Sequence, residues 1–192
     1  MGYGRNALWL AERGYEVEGW EVDRRYAAEA RRRAWERKVR LVVRRGDFTR
    51  GKWGGHYDAV VASAVLHMMR RSAALRVLKR MRKALARGAR VFLMVKLTDD
   101  PVFRRLQKNP DWAPVRGEGN TLRFRKRGRP TGLAGPAGTP VSGFQSRLTR
   151  GEVRAALRGL RVLRWKERTL KSEWEEGESV TQRMLEVVAE RV

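Results

Sequence analysis

The 192-residue sequence contains no cysteine. That single absence excludes disulfides, thiolate metal sites and cysteine nucleophiles together. Histidine is nearly absent too, with only His56 and His67. No apolar run is long enough to cross a bilayer; the longest, such as "YDAVVASAVLHMM", fall well short. The first residues do not read as a signal peptide. Proline is missing from the first hundred residues, since all six lie between 101 and 140. The expectation from these absences is a soluble, cytoplasmic protein that needs no metal.

Acid is also scarce. Lys+Arg number 44 against Asp+Glu 21, a net charge of +23, with arginine far outnumbering lysine. A basic surface of this kind concentrates nucleic acid and other polyanions. The same composition, poor in Asn and Gln, also fits a heat-adapted, thermophilic protein. The basic residues are scattered rather than gathered in one patch, which points to weak, nonspecific RNA binding at most.

What is present suits a folded chain. Hydrophobic residues make up 42% and aromatics 8%, which excludes a disordered class. The length fits one domain with a full core. The reading is a single domain over 1–192.

Along the chain, strand and helix alternate. Asn6 to Arg13 reads as a helix closed by Gly14, and "YEVEGWEV" follows as a strand. Asp23 can cap a second helix whose Tyr26, Ala27, Ala30 and Ala34 share one face. Arginines 31 to 33 then form a solvated face. "VRLVV" (39–43) is the next strand, and "YDAVVASAVL" (57–66) reads as a strand buried on both sides. Ser72 can open a helix with Leu75, Leu78, Met81 and Leu85 as its buried stripe and Gly88 beyond its end. "ARVFLMV" (89–95) is another buried strand. This alternation predicts an α/β fold with a parallel sheet and right-handed crossovers.

The alternation breaks at about 97–146. Prolines, glycines and the basic run "RFRKRGRP" (123–130) read as an irregular lid or binding loop. "TRGE" at 149–152 is a capping box. "LRVLRWKE" (160–167) and "SVTQRMLEVVA" (179–189) read as two closing strands.

The opening "MGYGRN" carries the first functional signal. A glycine turn leading into a helix lets the backbone approach a ligand, with helix N–H groups facing it. Glu21 ends the strand after that helix, where a carboxylate can accept hydrogen bonds from both ribose hydroxyls. Asp47 is placed to contact an adenine amino group, and Phe48 to pack against the ring. Either acid alone could be an ordinary strand-end residue. Asn6 could touch a cofactor or cap its helix. Trp9, Trp20, Trp35 and Trp53 read as packing residues.

Taken in order, the glycine turn, the acid after the second strand, "GDF" after the third and then "YDAVVASAVLH" resemble class I S-adenosylmethionine-dependent methyltransferases. "GRNALWLAERGYEVEGW" and "RLTRGEVRAAL" are most similar to the tellurite-resistance and thiopurine-type small-molecule members. The resemblance implies a Rossmann-like fold, a mostly parallel sheet with helices on both faces, and S-adenosyl-L-methionine as cofactor. It implies cofactor contacts from Gly2, Gly4, Asn6, Glu21, Val22, Asp47, Phe48 and Ser63, and a small-molecule methyl acceptor. His67, after the fourth strand near where an acceptor would approach, is the best titratable candidate for a catalytic residue, and a packed or exposed histidine is the equal alternative. The family motif reads acid-x-Gly-x-Gly-x-Gly at the end of a central first strand. Gly2 and Gly4 match its last two glycines, so the expectation is that this chain lacks the first strand. The histidine–arginine pair of tellurite-type enzymes is not matched in "KSEWEEGES". Two alternatives stay open: an RNA or protein methyltransferase, and a truncated, non-catalytic cofactor-binding module.

Overall fold

The computed structural model describes residues 1–125, 143–173 and 179–192. They fall into two compact units, Met1–Gly54 and Gly55–Val192. Among the described residues no helix is long and apolar enough to cross a membrane.

The first unit runs α1 (Arg5–Ala11), β1 (Val17–Glu21), α2 (Arg24–Glu36) and β2 (Leu41–Arg45). The strands pair in parallel from Val17↔Leu41 to Glu21↔Arg45, a pairing that needs a crossover helix between them. That helix is α2. Asp23 caps it as expected, its carboxylate accepting from the Arg25 N–H (2.8 Å) and the Tyr26 N–H (3.4 Å). Ala27 and Ala30 pack beneath Val43, with Met1 and Leu41 around them. On the outer face Glu29 pairs with Arg32 and Arg33 at helical spacing. Arg31 and Arg32 are exposed and Arg33 half-buried, as the solvated reading expects, and the Arg31 guanidinium donates to the Val43 carbonyl at 2.7 Å. Gly14, at φ 82, turns the chain from α1 toward β1.

The second unit holds β3 (Tyr57–Ser63), a 3₁₀ turn (Leu66–Met68), α3 (Arg71–Ala84), β4 (Leu85–Lys96), α4 (Pro101–Lys108) and β5 (Trp112–Val115). It continues with β6 (Glu118–Phe124), β7 (Phe144–Ser146), α5 (Arg150–Ala156), β8 (Leu160–Glu173) and β9 (Ser179–Arg191). One sheet has the order β3-β4-β9-β8 and another the order β5-β6-β7. β3 and β4 are parallel, whereas β9 runs antiparallel to both β4 and β8.

Three sequence expectations need correction here. β3 is not buried on both sides: Ala62 is buried, but Val61 is 42% exposed. β4 likewise alternates, with Ala89, Val91, Leu93 and Val95 buried while Phe92 is 39% exposed. An apolar run records hydrophobicity, not which neighbours cover each face. Second, α3 starts at Arg71 with Arg70 as its cap residue, and its stripe is Ala74, Val77, Leu78 and Met81. Ser72 instead lies in the first turn, where its hydroxyl donates to Glu118 at 2.7 Å.

Third, the 97–146 segment is not irregular where it is described. It forms α4 and the β5-β6-β7 sheet around Val102, Phe103, Leu106, Trp112, Leu122 and Val180. The prolines misled because their positions tolerate them. Pro101 occupies the first turn of α4, where the missing N–H has no helical partner to lose. Pro114 lies in β5, an edge strand with a register irregularity at Pro114–Val115, sheet locations that proline accepts readily. Most of "RFRKRGRP" and the remaining lid lie outside the described residues.

Candidate active site

The glycine turn opens the first unit. Gly2 and Gly4 have φ 59 and 83, a left-handed backbone that other residues adopt only with strain. A Cβ at Gly4 would meet Ala30 Cβ at 3.4 Å and Leu8 Cδ1 at 3.5 Å, ordinary packing distances, so the left-handed backbone is what favours glycine there. The turn thus brings the start of α1 beside Ala30 of α2.

Glu21 ties this turn to the end of β1. One carboxylate oxygen accepts from the Gly2 N–H (2.7 Å) and the Met1 ammonium (2.9 Å); the other accepts from the Asp23 N–H (2.9 Å). Burial alone would raise its pKa, but the Asp23 N–H, the ammonium charge and the Gly2 N–H together hold it below the ordinary value. The carboxylate is therefore ionised and fixed in direction. Val22, beside it, is 70% exposed.

The Gly46 N–H donates to the Glu21 carbonyl at 2.9 Å, joining the ends of the two parallel strands. Asp47 follows, exposed, with its carboxylate accepting from the Thr49 N–H at 2.8 Å. Phe48 is half-buried, and its carbonyl accepts from the Trp53 indole at 2.9 Å. Gly2, Gly4, Glu21 and Asp47 thus gather at the carboxyl end of β1 and β2, where open α/β sheets bind ligands. Asn6 is exposed in the first turn of α1 and does not cap it, because Gly4 occupies the cap position. Sequence reasoning missed the role of Gly51, where a Cβ would collide with the Trp20 ring. A glycine four residues after an Asp at a strand end was its only signal.

In the second unit, Ser63 closes β3 and its hydroxyl lies 3.9 Å from Met94 sulfur. His67 follows on the 3₁₀ turn, with Nδ1 buried and lacking a hydrogen-bond partner among the described residues. Burial, then the charges of Lys96 and Arg147, hold its pKa well below the usual histidine value. Lys96 ends β4; burial and Arg147 bring it down to about 8, with Asp100 opposing. Arg147 and Asp100 are completely buried and form an ion pair at 3.0 Å. The Ser146 hydroxyl reaches the Leu66 carbonyl at 3.5 Å, and the Leu148 N–H reaches the Lys96 carbonyl at 3.3 Å. These bonds draw the three basic residues to the carboxyl ends of β3 and β4. Only His67 was legible beforehand. No group of three or more potential metal ligands occurs among the described residues.

A cleft of 240 Å³ lies between α4 and the β5–β6 hairpin, lined by Phe103, Pro114, Asn120 and Leu122. Its one carboxylate, Glu118, is engaged by Ser72. The titratable chemistry lies elsewhere, around His67 and Lys96.

Residues 1–88 match the family model described as a methyltransferase domain. Among solved structures, the chain is similar over its whole length to TehB from Haemophilus influenzae, at 16% identity, TM-score 0.71 and 55% of that chain. It is similar over its whole length to a SAM-dependent methyltransferase from Methanosarcina mazei, at 17% identity, TM-score 0.68 and 89% of that chain. A third is magnesium protoporphyrin IX methyltransferase from Synechocystis with bound SAH, at 16% identity, TM-score 0.63, with all of this chain and 71% of that one covered. The fold is that of the class I methyltransferases.

That class uses S-adenosylmethionine as methyl donor. The matched stretch of this methyltransferase fold contains the glycine turn, Glu21, Asp47, Ser63 and His67. Lys96, Asp100 and Arg147 lie beyond it. The chain spans 55% of TehB's length. No curated protein matches it in sequence.

Proposed function

We propose that the chain is an S-adenosylmethionine-dependent methyltransferase for a small-molecule acceptor, with residues 1–192 making one methyltransferase domain. The observation that carries this is the Glu21 carboxylate, bonded to the glycine turn on one side and to the start of α2 on the other. A fixed, ionised acceptor beside left-handed glycines suits a ribose diol next to a closely approaching backbone. Three donors already occupy Glu21, out of about four lone-pair sites on a carboxylate. Binding two hydroxyls therefore requires one of those donors to yield. Asp47 would receive the adenine amino group and Phe48 its ring, with Val22 and Asn6 flanking the turn.

When bound, S-adenosylmethionine supplies an electrophilic methyl on a sulfonium. The chain's contribution is positioning, which accounts for most of the acceleration when two reactants are aligned in one site. His67 is neutral and weakly basic, so it suits contact with an acceptor that is already nucleophilic better than proton abstraction. A thiolate or soft anion needs no base.

Calorimetry with S-adenosylhomocysteine and a transfer assay with labelled donor test the proposal. Binding, followed by label transfer to small molecules in preference to RNA or protein, is expected. Label on RNA alone would replace the acceptor class, and no cofactor binding would overturn the reading.

A further inference from the structure

We infer that Lys96 and His67 form a receptor for a single carboxylate group on the methyl acceptor. The inference deepens the proposed function and rests on it for the word acceptor; the receptor itself stands on the second unit alone. Lys96 is the last residue of β4, and His67 follows the end of parallel β3. Ligands of open α/β sheets bind beyond the carboxyl ends of such strands.

Arg147 is buried and already satisfied in charge: Nε donates to Asp100 at 3.0 Å, and Nη1 donates to Gln145 at 3.1 Å and the Ser146 carbonyl at 2.9 Å. Its guanidinium also lies 4.9 Å over the Phe103 ring. Asp100 is equally engaged, accepting from the Val102 and Arg183 N–H groups as well. This pair is scaffold. Lys96 has no such partner: no ion pair or hydrogen bond from the described residues reaches its amine. On β9, Arg183 faces this region, but its guanidinium is held by Asp99 at 2.7 Å. Among the described residues the cluster therefore carries one positive charge without an ion-pair partner, that of Lys96, beside a neutral imidazole.

Leaving a half-buried ammonium without a counter-ion is costly, and a partner of opposite charge offsets that cost. One excess charge matches a monoanion. A dianion such as phosphate would require His67 to be protonated too, against the burial and the two neighbouring cations that keep it neutral. His67 Nδ1, buried and unpartnered, supplies the second contact. In the tautomer bearing its proton there, it donates to one carboxylate oxygen while Lys96 holds the other.

The test uses the full 192-residue chain without cofactor, at constant ionic strength set by chloride. Acetate and benzoate are titrated by NMR against their neutral counterparts, acetamide and benzamide, and against inorganic phosphate. The carboxylates should give saturable shifts at the His67 ring and the Lys96 amine, whereas the amides should not. Benzoate should bind K96M about tenfold or more weakly, the loss expected when a charged hydrogen-bond partner goes, while K96R retains binding. Affinity should hold to about pH 8 and fall above it as Lys96 loses its proton. Amides acting like carboxylates, phosphate binding better than benzoate, K96M matching wild type, or no saturation at all would each overturn the receptor. S-adenosylhomocysteine binding on the same samples separates the two ideas. Carboxylate binding without it leaves the receptor and removes the methyltransferase reading; the reverse result removes only the receptor.

Discussion

Asp100 and Arg147 bury opposite charges completely, and Asp100 also caps α4 and accepts from the Arg183 N–H. Burial pushes Arg147 down to about 10 even with Asp100 beside it. Removing one member of such a pair strands the other in a poorly solvated site. Asp100→Asn should therefore destabilise the fold by about 3–5 kcal/mol, read as a lower urea midpoint. A loss under ~1 kcal/mol would mean that water reaches Arg147. At Glu21 the expected effect falls on binding. Glu21→Ala should weaken S-adenosylhomocysteine binding by about 1–3 kcal/mol through loss of a charged acceptor, and unchanged calorimetric affinity would remove the assignment. Glu21 also predicts a pH dependence. Its folded pKa lies below the ordinary 4.5, so its contribution to stability is full above that value and is lost as pH falls through the folded pKa. Glu21→Gln should flatten acid unfolding in that window.

The capping box of α5 is formed in full at the level of elements. The Thr149 hydroxyl accepts from the Glu152 N–H at 3.1 Å, and the Glu152 carboxylate accepts from the Thr149 N–H at 2.8 Å. Glu152 also pairs with Arg71 at the start of α3, so one carboxylate serves two helices. Thr149→Ala should cost about 1 kcal/mol, measured by urea denaturation. Glu152→Ala should cost more, because it also leaves Arg71 without its acid. Equal losses for the two variants would show that the pairing contributes nothing. β8 and β9 form the longest pairing, from Leu160↔Arg191 to Glu173↔Ser179. Three acids along and beside it each hold two arginines: Glu190 with Arg90 and Arg161, Glu186 with Arg164 and Arg168, and Asp99 with Arg150 and Arg183.

Over the whole molecule, that sharing describes the charge. Glu190 and Glu186 each neutralise one arginine and leave another in excess, whereas Arg150 is also held by Glu167; with basic residues scattered along the sequence, the net +23 is dispersed rather than focused. Dispersed charge attracts phosphate backbones without reading sequence. RNA should bind weakly, with no preference over a scrambled sequence and with affinity falling steeply as salt rises, as filter binding would report. Tight, selective binding at physiological salt would favour the nucleic-acid enzyme instead.

The local elements were legible because their signals are local. Asp23 before α2, "TRGE" before α5 and the buried face of Tyr26, Ala27, Ala30 and Ala34 follow from side-chain chemistry and helical period alone. The glycine turn and Glu21 were legible for the same reason, as a motif within some twenty residues. Which face of β3 and β4 meets solvent was decided by tertiary packing, because an apolar strand reads alike whether one side or both are covered. So was the role of Pro101 and Pro114, which depends on where a helix begins and which strand lies at an edge. The cluster of His67, Lys96, Asp100 and Arg147 spans four separate elements or their ends. Nothing in the spacing of those residues brings them together. Only strand pairing and the bonds between chain segments near Leu66, Lys96 and Ser146 place them side by side, and burial then gives them unusual charges.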